Sequence, residues 1–445
     1  MAVPPADRAP AAVAPLSHQQ PLVRLVPGAA AVGHPEIRAQ PLKPRVLLTT
    51  TAYPPSTGGV QAHVAELAAR LTTFEADVLT LWLRNRTDWL LGTTLRLTGD
   101  LAQPSPGVTT LGWSSSARAR MLPWVLSYYA YPAVAARRIA AQMVPYLEQV
   151  VQPEHALIHN HRIGREFLAQ TSLMVARKRA MPFVLTAHHH PKWRGYRYGG
   201  WLEVYRAADA VLALTEFESA ELQRLGVSGD RIHVIGGAAD PPLPADAARF
   251  RARLRGSTGQ VVLFLGQQFE YKGVADLFQA VAAIRSRGVK AELAFVGPAT
   301  PFSTRFFSRR QAPWVHVLGT VDEQTKWDAI EASSVVCLPS RHEAFGRVYL
   351  EAWSKAKPVI GARIPTVGEV ITDGQTGLLV DPGSVEQLAG ALERLLSSPM
   401  LAASLGARGL GEVEGRFSWR QVIGRIEAAY SSVLEAASTK VPRSR

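Results

Sequence analysis

Between Ser334 and Gly361 the chain reads SVVCLPSRHEAFGRVYLEAWSKAKPVIG, and this stretch leaves few folds open. Ser334–Leu338 is a continuous, β-branched apolar run closed by Pro-Ser, the pattern of a buried strand. A polar turn with Arg341, His342 and Glu343 leads to Gly346, and Val348, Leu350, Ala352 and Trp353 follow at helical spacing. Pro358-Val359-Ile360 then begins another strand. In a strand–loop–helix–strand unit of this kind, ligands gather in the loop at the strand's carboxyl end. Glu343 in that loop and Glu351 on the helix, eight residues later, bracket the turn. A lone helix carboxylate is ordinarily a solvated surface group. Beside a Gly-containing helix start, whose N–H groups attract phosphate, two carboxylates suit a ligand with hydroxyls at both ends of a diphosphate. A nucleotide sugar has that shape.

The same unit occurs at the start of each half of the chain. Arg45–Thr50 reads as a strand, Pro54-Pro55-Ser56-Thr57-Gly58-Gly59 as a turn, and Val60, Val64, Leu67 and Leu71 as one face of a helix, with a second strand over 76–82. After Gly236-Gly237 and Pro241-Pro242, Val261–Leu265 is a strand ending at Gly266, followed by the loop Gln267–Gly273 and a helix over 274–287. Lys272, just ahead of that helix, is placed to neutralise a diphosphate, although a surface lysine has the same local sequence. The expected fold is α/β, with two Rossmann-like domains facing each other across a cleft. The expected segments are an Ala/Pro-rich disordered leader over 1–44, an amino-terminal domain over 45–240 and a carboxy-terminal domain over 241–417. A final helix and tail, 418–445, is expected to cross back to the first domain.

Two segments of the first half stand apart. Residues 121–143 are apolar and aromatic, with Trp124, Tyr128, Tyr129 and Tyr131, and are interrupted by Pro123 and Pro132. Arg118, Arg120, Arg137 and Arg138 flank them. A buried helix pair accounts for this pattern, and so does a surface for a membrane or an acceptor. Strand Pro182–Thr186 runs into His188-His189-His190 and the basic, aromatic Pro191–Arg194. Consecutive residues of an extended chain point to opposite sides, so the triplet is a poor metal site. One histidine facing the cleft as a hydrogen-bonding or acid/base group fits better.

Composition narrows the partners. A net charge of +13, spread over both halves, admits anionic ligands or a phospholipid surface. No zinc-finger spacing or arginine-rich block points to nucleic acid. The single cysteine, Cys337, lies in an apolar run and cannot form an intramolecular disulfide. With neither a signal peptide nor a spanning apolar run, the expected location is cytoplasmic, with peripheral association at the inner membrane face as an option.

These motifs, in this order over residues 45–436, resemble the family 4 retaining glycosyltransferases of the GT-B fold, the glycogen synthase/mannosyltransferase-like group. Pro54–His63 is similar to the family's first glycine loop, Glu343–Glu351 to its two-glutamate signature, and Gly374–Val380 to a stretch that follows it. The resemblance implies a hexosyl transfer from a UDP- or GDP-sugar to an acceptor hydroxyl, without metal or cofactor. The acceptor would be a saccharide, a lipid-linked molecule or a small molecule. It further implies that Gly58 and Gly59 offer backbone N–H groups to the diphosphate and that Lys272 stabilises the leaving nucleotide. Glu343 would hold sugar hydroxyls and Glu351 ribose hydroxyls, while Ala344, Phe345 and Gly346 cradle sugar and phosphate. His188 matches the active-site histidine.

The chain departs from the family at two places. Gln267 stands after Gly266 where relatives usually have Arg, which shifts charge neutralisation to Lys272 or brings in Arg341. Gly237-Ala238 stands where relatives often have Asn-Gly, leaving Asp240 in register. Two other readings are compatible with the same residues: another GT-B sugar-nucleotide enzyme such as an epimerase, and a non-catalytic protein binding sugar nucleotides or a membrane surface.

Overall fold

The structure is a computed structural model that describes residues 43–56, 58–83, 102–162, 166–189, 199–254 and 258–440. The leader expected over 1–44 lies almost wholly outside them, as do His190 and Pro191–Arg194.

The amino half is built on an eight-stranded sheet. Its strands are β1 (Arg45–Ala52), β2 (Glu75–Trp82), β3 (Ala102–Ser105), β4 (Val108–Thr110), β5 (His155–His161), β6 (Phe183–Thr186), β7 (Ala210–Ala213) and β8 (Ile232–Val234). The spatial order is β3-β4-β2-β1-β5-β6-β7-β8, parallel except for the β3–β4 pair. The carboxy half carries β9 (Gln260–Leu265), β10 (Ala291–Val296), β11 (Val315–Gly319), β12 (Val335–Leu338), β13 (Val359–Ala362) and β14 (Leu378–Val380). These form an all-parallel sheet in the order β11-β10-β9-β12-β13-β14.

The strands are apolar without alternation because helices cover both faces of each sheet. In β1, Val46 and Leu48 enter one core cluster while Leu47, between them, enters another on the opposite face. Crossovers run to one side of β1 and then to the other, so the strand order reverses between β1 and β5, and likewise between β9 and β12. Each reversal opens a crevice at the carboxyl ends of its strands.

The Met121–Met143 segment forms a helical hairpin, Ser115–Ser127 and Pro132–Glu148. Pro123 lies inside the first helix, and Pro132 opens the second, where its missing N–H costs nothing. The last helix, Trp419–Lys440, packs against β5, β7 and β8 of the amino half. No helix among the described residues is long and apolar enough to cross a membrane.

Candidate active site

In the carboxy half, the β9–β12 crevice gathers most of the residues singled out from sequence. β9 ends at Gly266, and the loop beyond it makes a short turn over Glu270–Lys272 and stops at Gly273. Gly273 has φ +78°, and a Cβ there would lie 2.6 Å from the Pro339 carbonyl oxygen. Only glycine lets this loop lie against the one after β12. The two loops are tied by Arg341 N–H donating to the Tyr271 carbonyl at 2.8 Å. Their contact brings Lys272 Nζ onto Glu343 Oε1 in a largely buried ion pair. Gly346 then opens the Arg347–Trp353 helix. Glu351, on its second turn, is 3.1 Å from Lys326 Nζ, which also pairs with Glu323. Burial works against the Lys326 charge, but Glu351 and Glu323 outweigh it and hold its pKa above the usual lysine value.

Four other expected residues, Arg341, Gln267, Ala344 and Phe345, have surroundings of their own. The Arg341 guanidinium turns to Asp276, 3.0 Å away, so its charge is already engaged. Gln267 is exposed, whereas its neighbour Gln268 is buried with Nε2 donating to the Gly297 carbonyl. Ala344 is half-buried beside Phe345, whose ring stacks edge-on against Phe417. A Cβ on Gly237 would lie 2.5 Å from the Phe345 ring, which accounts physically for one of the two departures from the family pattern.

The facing crevice, between β1 and β5, is furnished differently. Gly58 precedes and Gly59 begins the helix Gly59–Arg70, whose first N–H groups have no partner within the helix. Arg347 reaches this point from the other half: Nη1 donates to the Gly59 carbonyl and Nη2 to Asp240 Oδ1, both at 2.6 Å. Behind Gly59, His63 forms a triangle with His161 and His188, with ring centroids 5.6, 5.7 and 6.0 Å apart. Trp419 lies 5.4 Å from His63 and closes one side. His63 Nε2, both nitrogens of His161 and His188 Nε2 are buried with no hydrogen-bond partner among the described residues. Such a cluster marks a place where water or ligand completes the bonding. By contrast, His159 is satisfied by Tyr430 at 2.6 Å and Thr186 at 2.7 Å.

Burial pushes all four imidazoles down, His159 and His188 to about 3, with Arg162 and Arg347 adding to the effect at His188. Near pH 7 this leaves the His188 ring uncharged and able to donate or accept a hydrogen bond. No set of three His, Cys, Asp or Glu side chains among the described residues is arranged to hold a metal ion.

His188 has φ +40°, a left-handed conformation that costs a non-glycine residue on the order of 1–3 kcal/mol. The peptide bond that follows is held at both ends. Arg162 Nη1 donates to the His188 carbonyl at 3.2 Å, and the His189 N–H donates to Glu218. Glu218 also accepts from Leu214 N–H at 2.6 Å. Burial raises its pKa to about 7, against the pull of those two N–H groups. An arginine and a glutamate thus grip opposite ends of one peptide group and hold the backbone that carries the His188 ring.

Two more carboxylates join the halves. Glu369 accepts Glu216 N–H and Phe217 N–H at 2.7 and 2.6 Å, at the first turn of the helix Glu216–Arg224. Glu427, on the final helix, accepts Thr72 N–H and Thr73 N–H at 2.6 and 2.7 Å. A cavity of about 250 Å³ between the halves is lined by Thr215, Glu216, Phe345, Glu369, Arg416 and Arg425.

Sequence reasoning missed Arg347, Lys326, His63, His161, Arg162 and Glu218. Arg347 had a signal, because a cation at the first position of a helix opposes the helix dipole and calls for another reason to be there. The others lie on separate elements, and nothing local marks them.

Residues 57–241 match the family model described as Glycosyltransferase Family 4, and residues 247–410 match that of Glycosyl transferases group 1. The chain is 27% identical to the MMP alpha-(1->4)-mannosyltransferase of Mycolicibacterium hassiacum, over 59% of this chain and 68% of that protein. It is 30% identical to the alpha-D-kanosaminyltransferase of Streptomyces kanamyceticus, over 55% of this chain and 69% of that one. Among solved structures, Anabaena HepE in complex with UDP and glucose superposes with a TM-score of 0.66 at 18% identity, covering 87% of this chain and all of that one. With both halves matched in order and two Rossmann-like sheets facing a common site, the chain belongs to the family 4 glycosyltransferases of the GT-B fold, enzymes that use nucleotide-sugar donors.

Proposed function

We propose that the protein transfers a hexosyl group from a UDP- or GDP-sugar to an acceptor hydroxyl with retention of anomeric configuration and without a metal. The observation that carries this reading is the buried Lys272–Glu343 pair at the β9–β12 crevice, with Glu351 eight residues further along. In the free protein each charge satisfies the other. A bound donor would separate them, drawing Lys272 to the diphosphate and leaving Glu343 for sugar hydroxyls. Lys272 and the N–H groups at Gly58 and Gly59 meet the charge that builds on the diphosphate as the sugar C1–O bond breaks. The acceptor oxygen bonds to C1 from the same face, and its proton passes to the departing phosphate oxygen. Neutral His188 and its neighbours offer hydrogen bonds to hydroxyls at that point. The HepE complex with UDP and glucose favours UDP as the first donor to test.

The test is a screen of UDP- and GDP-hexoses against saccharide and polyol acceptors, reading nucleotide release and the anomeric configuration of the product by NMR. An α-donor is expected to give an α-linked product with chelator present. An inverted product, or turnover restored only by a divalent ion, overturns the reading.

A further inference from the structure

The hairpin Ser115–Ser127 and Pro132–Glu148 has a buried root and an exposed apolar tip. Its inner face, with Met121, Val125, Tyr128, Ile139 and Met143, belongs to the core. Its outer face carries Leu122, Leu126, Tyr129, Tyr131 and Val134, all exposed, with Leu126 and Tyr131 at 68% and 67%. Half of the large hydrophobics exposed among the described residues thus fall within one short span, whereas scattered single ones are normal.

The charged side chains that the hairpin itself carries near this tip are all positive. Residues 101–147 contain Arg118, Arg120, Arg137 and Arg138 and no Asp or Glu. Arg138 lies 5.6 Å over the Trp124 ring, joining the two helices, and Arg137 pairs with Glu203 on a neighbouring helix. Aromatic and aliphatic side chains ringed by long cationic ones match the layering of an anionic bilayer, where apolar bodies enter the acyl boundary and guanidinium groups stay among phosphates.

We propose that this hairpin tip is a docking surface for an anionic lipid bilayer. Its position gives the docking a purpose. Arg137 pairs with Glu203 on the helix Gly199–Ala207, and Arg162, which holds the His188 turn, lies 4.6 Å over the ring of Trp201 on the same helix. The hairpin is thus joined through one helix to the residues that hold His188, and in this proposal an acceptor held in or at the membrane is passed to the β1–β5 crevice. The inference does not depend on the identity of the donor.

The experiment is sedimentation of the full chain with vesicles of phosphatidylcholine alone or with 30% phosphatidylglycerol, at low and high salt. Binding is expected only to the anionic vesicles and is expected to weaken as salt rises. L126E/Y131E should lose at least about tenfold in binding, and R137A/R138A roughly fivefold per arginine. Donor-dependent nucleotide release with a soluble acceptor should stay at the wild-type rate in both variants, showing that they fold. Equal binding to neutral vesicles, no binding by wild type, or full binding by L126E/Y131E overturns the proposal. So does light scattering that shows the tip holding two copies together, with a dimer that the same variant splits.

Discussion

Both halves place their candidate residues where a central strand has neighbours drawn from opposite directions, yet the two crevices are furnished in opposite ways. Between β9 and β12 stand full charges in pairs, Lys272 with Glu343 and Lys326 with Glu351. Between β1 and β5 stand imidazoles that burial keeps neutral, several of whose ring nitrogens have no partner among the described residues. Paired charges suit a ligand that brings its own charge, because binding exchanges one ion partner for another instead of stranding one in a dry site. Neutral donors and acceptors suit a ligand that brings hydroxyls. On this view one Rossmann-like plan, used twice, is tuned to two reactants by the charge state of its crevice.

The sharpest way to break the contrast is Lys272→Ala, which leaves Glu343 buried without its cation. Turnover should fall by about 10²–10³-fold, and wild-type turnover would remove lysine from the leaving-group site. Glu351→Ala should weaken donor binding by about 10- to 100-fold, the worth of a charged hydrogen bond, while acceptor KM stays put. A change confined to acceptor KM would place Glu351 on the wrong side.

On the neutral side, Glu218→Gln keeps the size of the side chain but cannot accept from both backbone N–H groups. It should lower kcat by about tenfold with donor Kd unchanged, since Glu218 acts only through the His188 turn. Equal losses in donor binding and kcat would reduce it to a fold-holding residue.

The smallest effect is on stability. His63, His159, His161 and His188 have folded pKa values below the ordinary 6.5, so the unfolded chain binds more protons between about pH 3 and 6.5. Stability should therefore fall as pH drops through that window. Glu218, raised to about 7, acts in the opposite sense above its unfolded value, one group against four. Between about pH 7.5 and pH 5.5 the Tm should drop by roughly 5 °C. A flat or rising Tm would mean that the histidines are not held neutral.

The contrast also explains what could be read in advance. The charged crevice is legible because its parts are near neighbours in sequence: Glu343, Gly346 and Glu351 share one loop and helix, and Lys272 sits at the parallel turn of the same half. The neutral crevice draws on the Gly59–Arg70 helix, β5, the end of β6 and the final helix, and only packing puts His63, His161, His188 and Trp419 together. Strands β1, β2, β6, β9, β12 and β13 were visible as apolar runs. β3 and β4 were not, since Pro104 and Pro106 break the pattern of a short pair at the sheet edge. Pro123 and Pro132 read as interruptions, whereas one sits inside a helix and the other starts the next.

The Glu369 carboxylate gives the cleft an observable of its own. It serves the first turn of a helix in the other half, so the amides of Glu216 and Phe217 keep their acceptor only while the halves are together. Any opening frees those two amides to exchange with solvent, ahead of the rest of their helix. Their deuterium uptake is a clock for the cleft, and nucleotide sugar that holds the halves together should slow it.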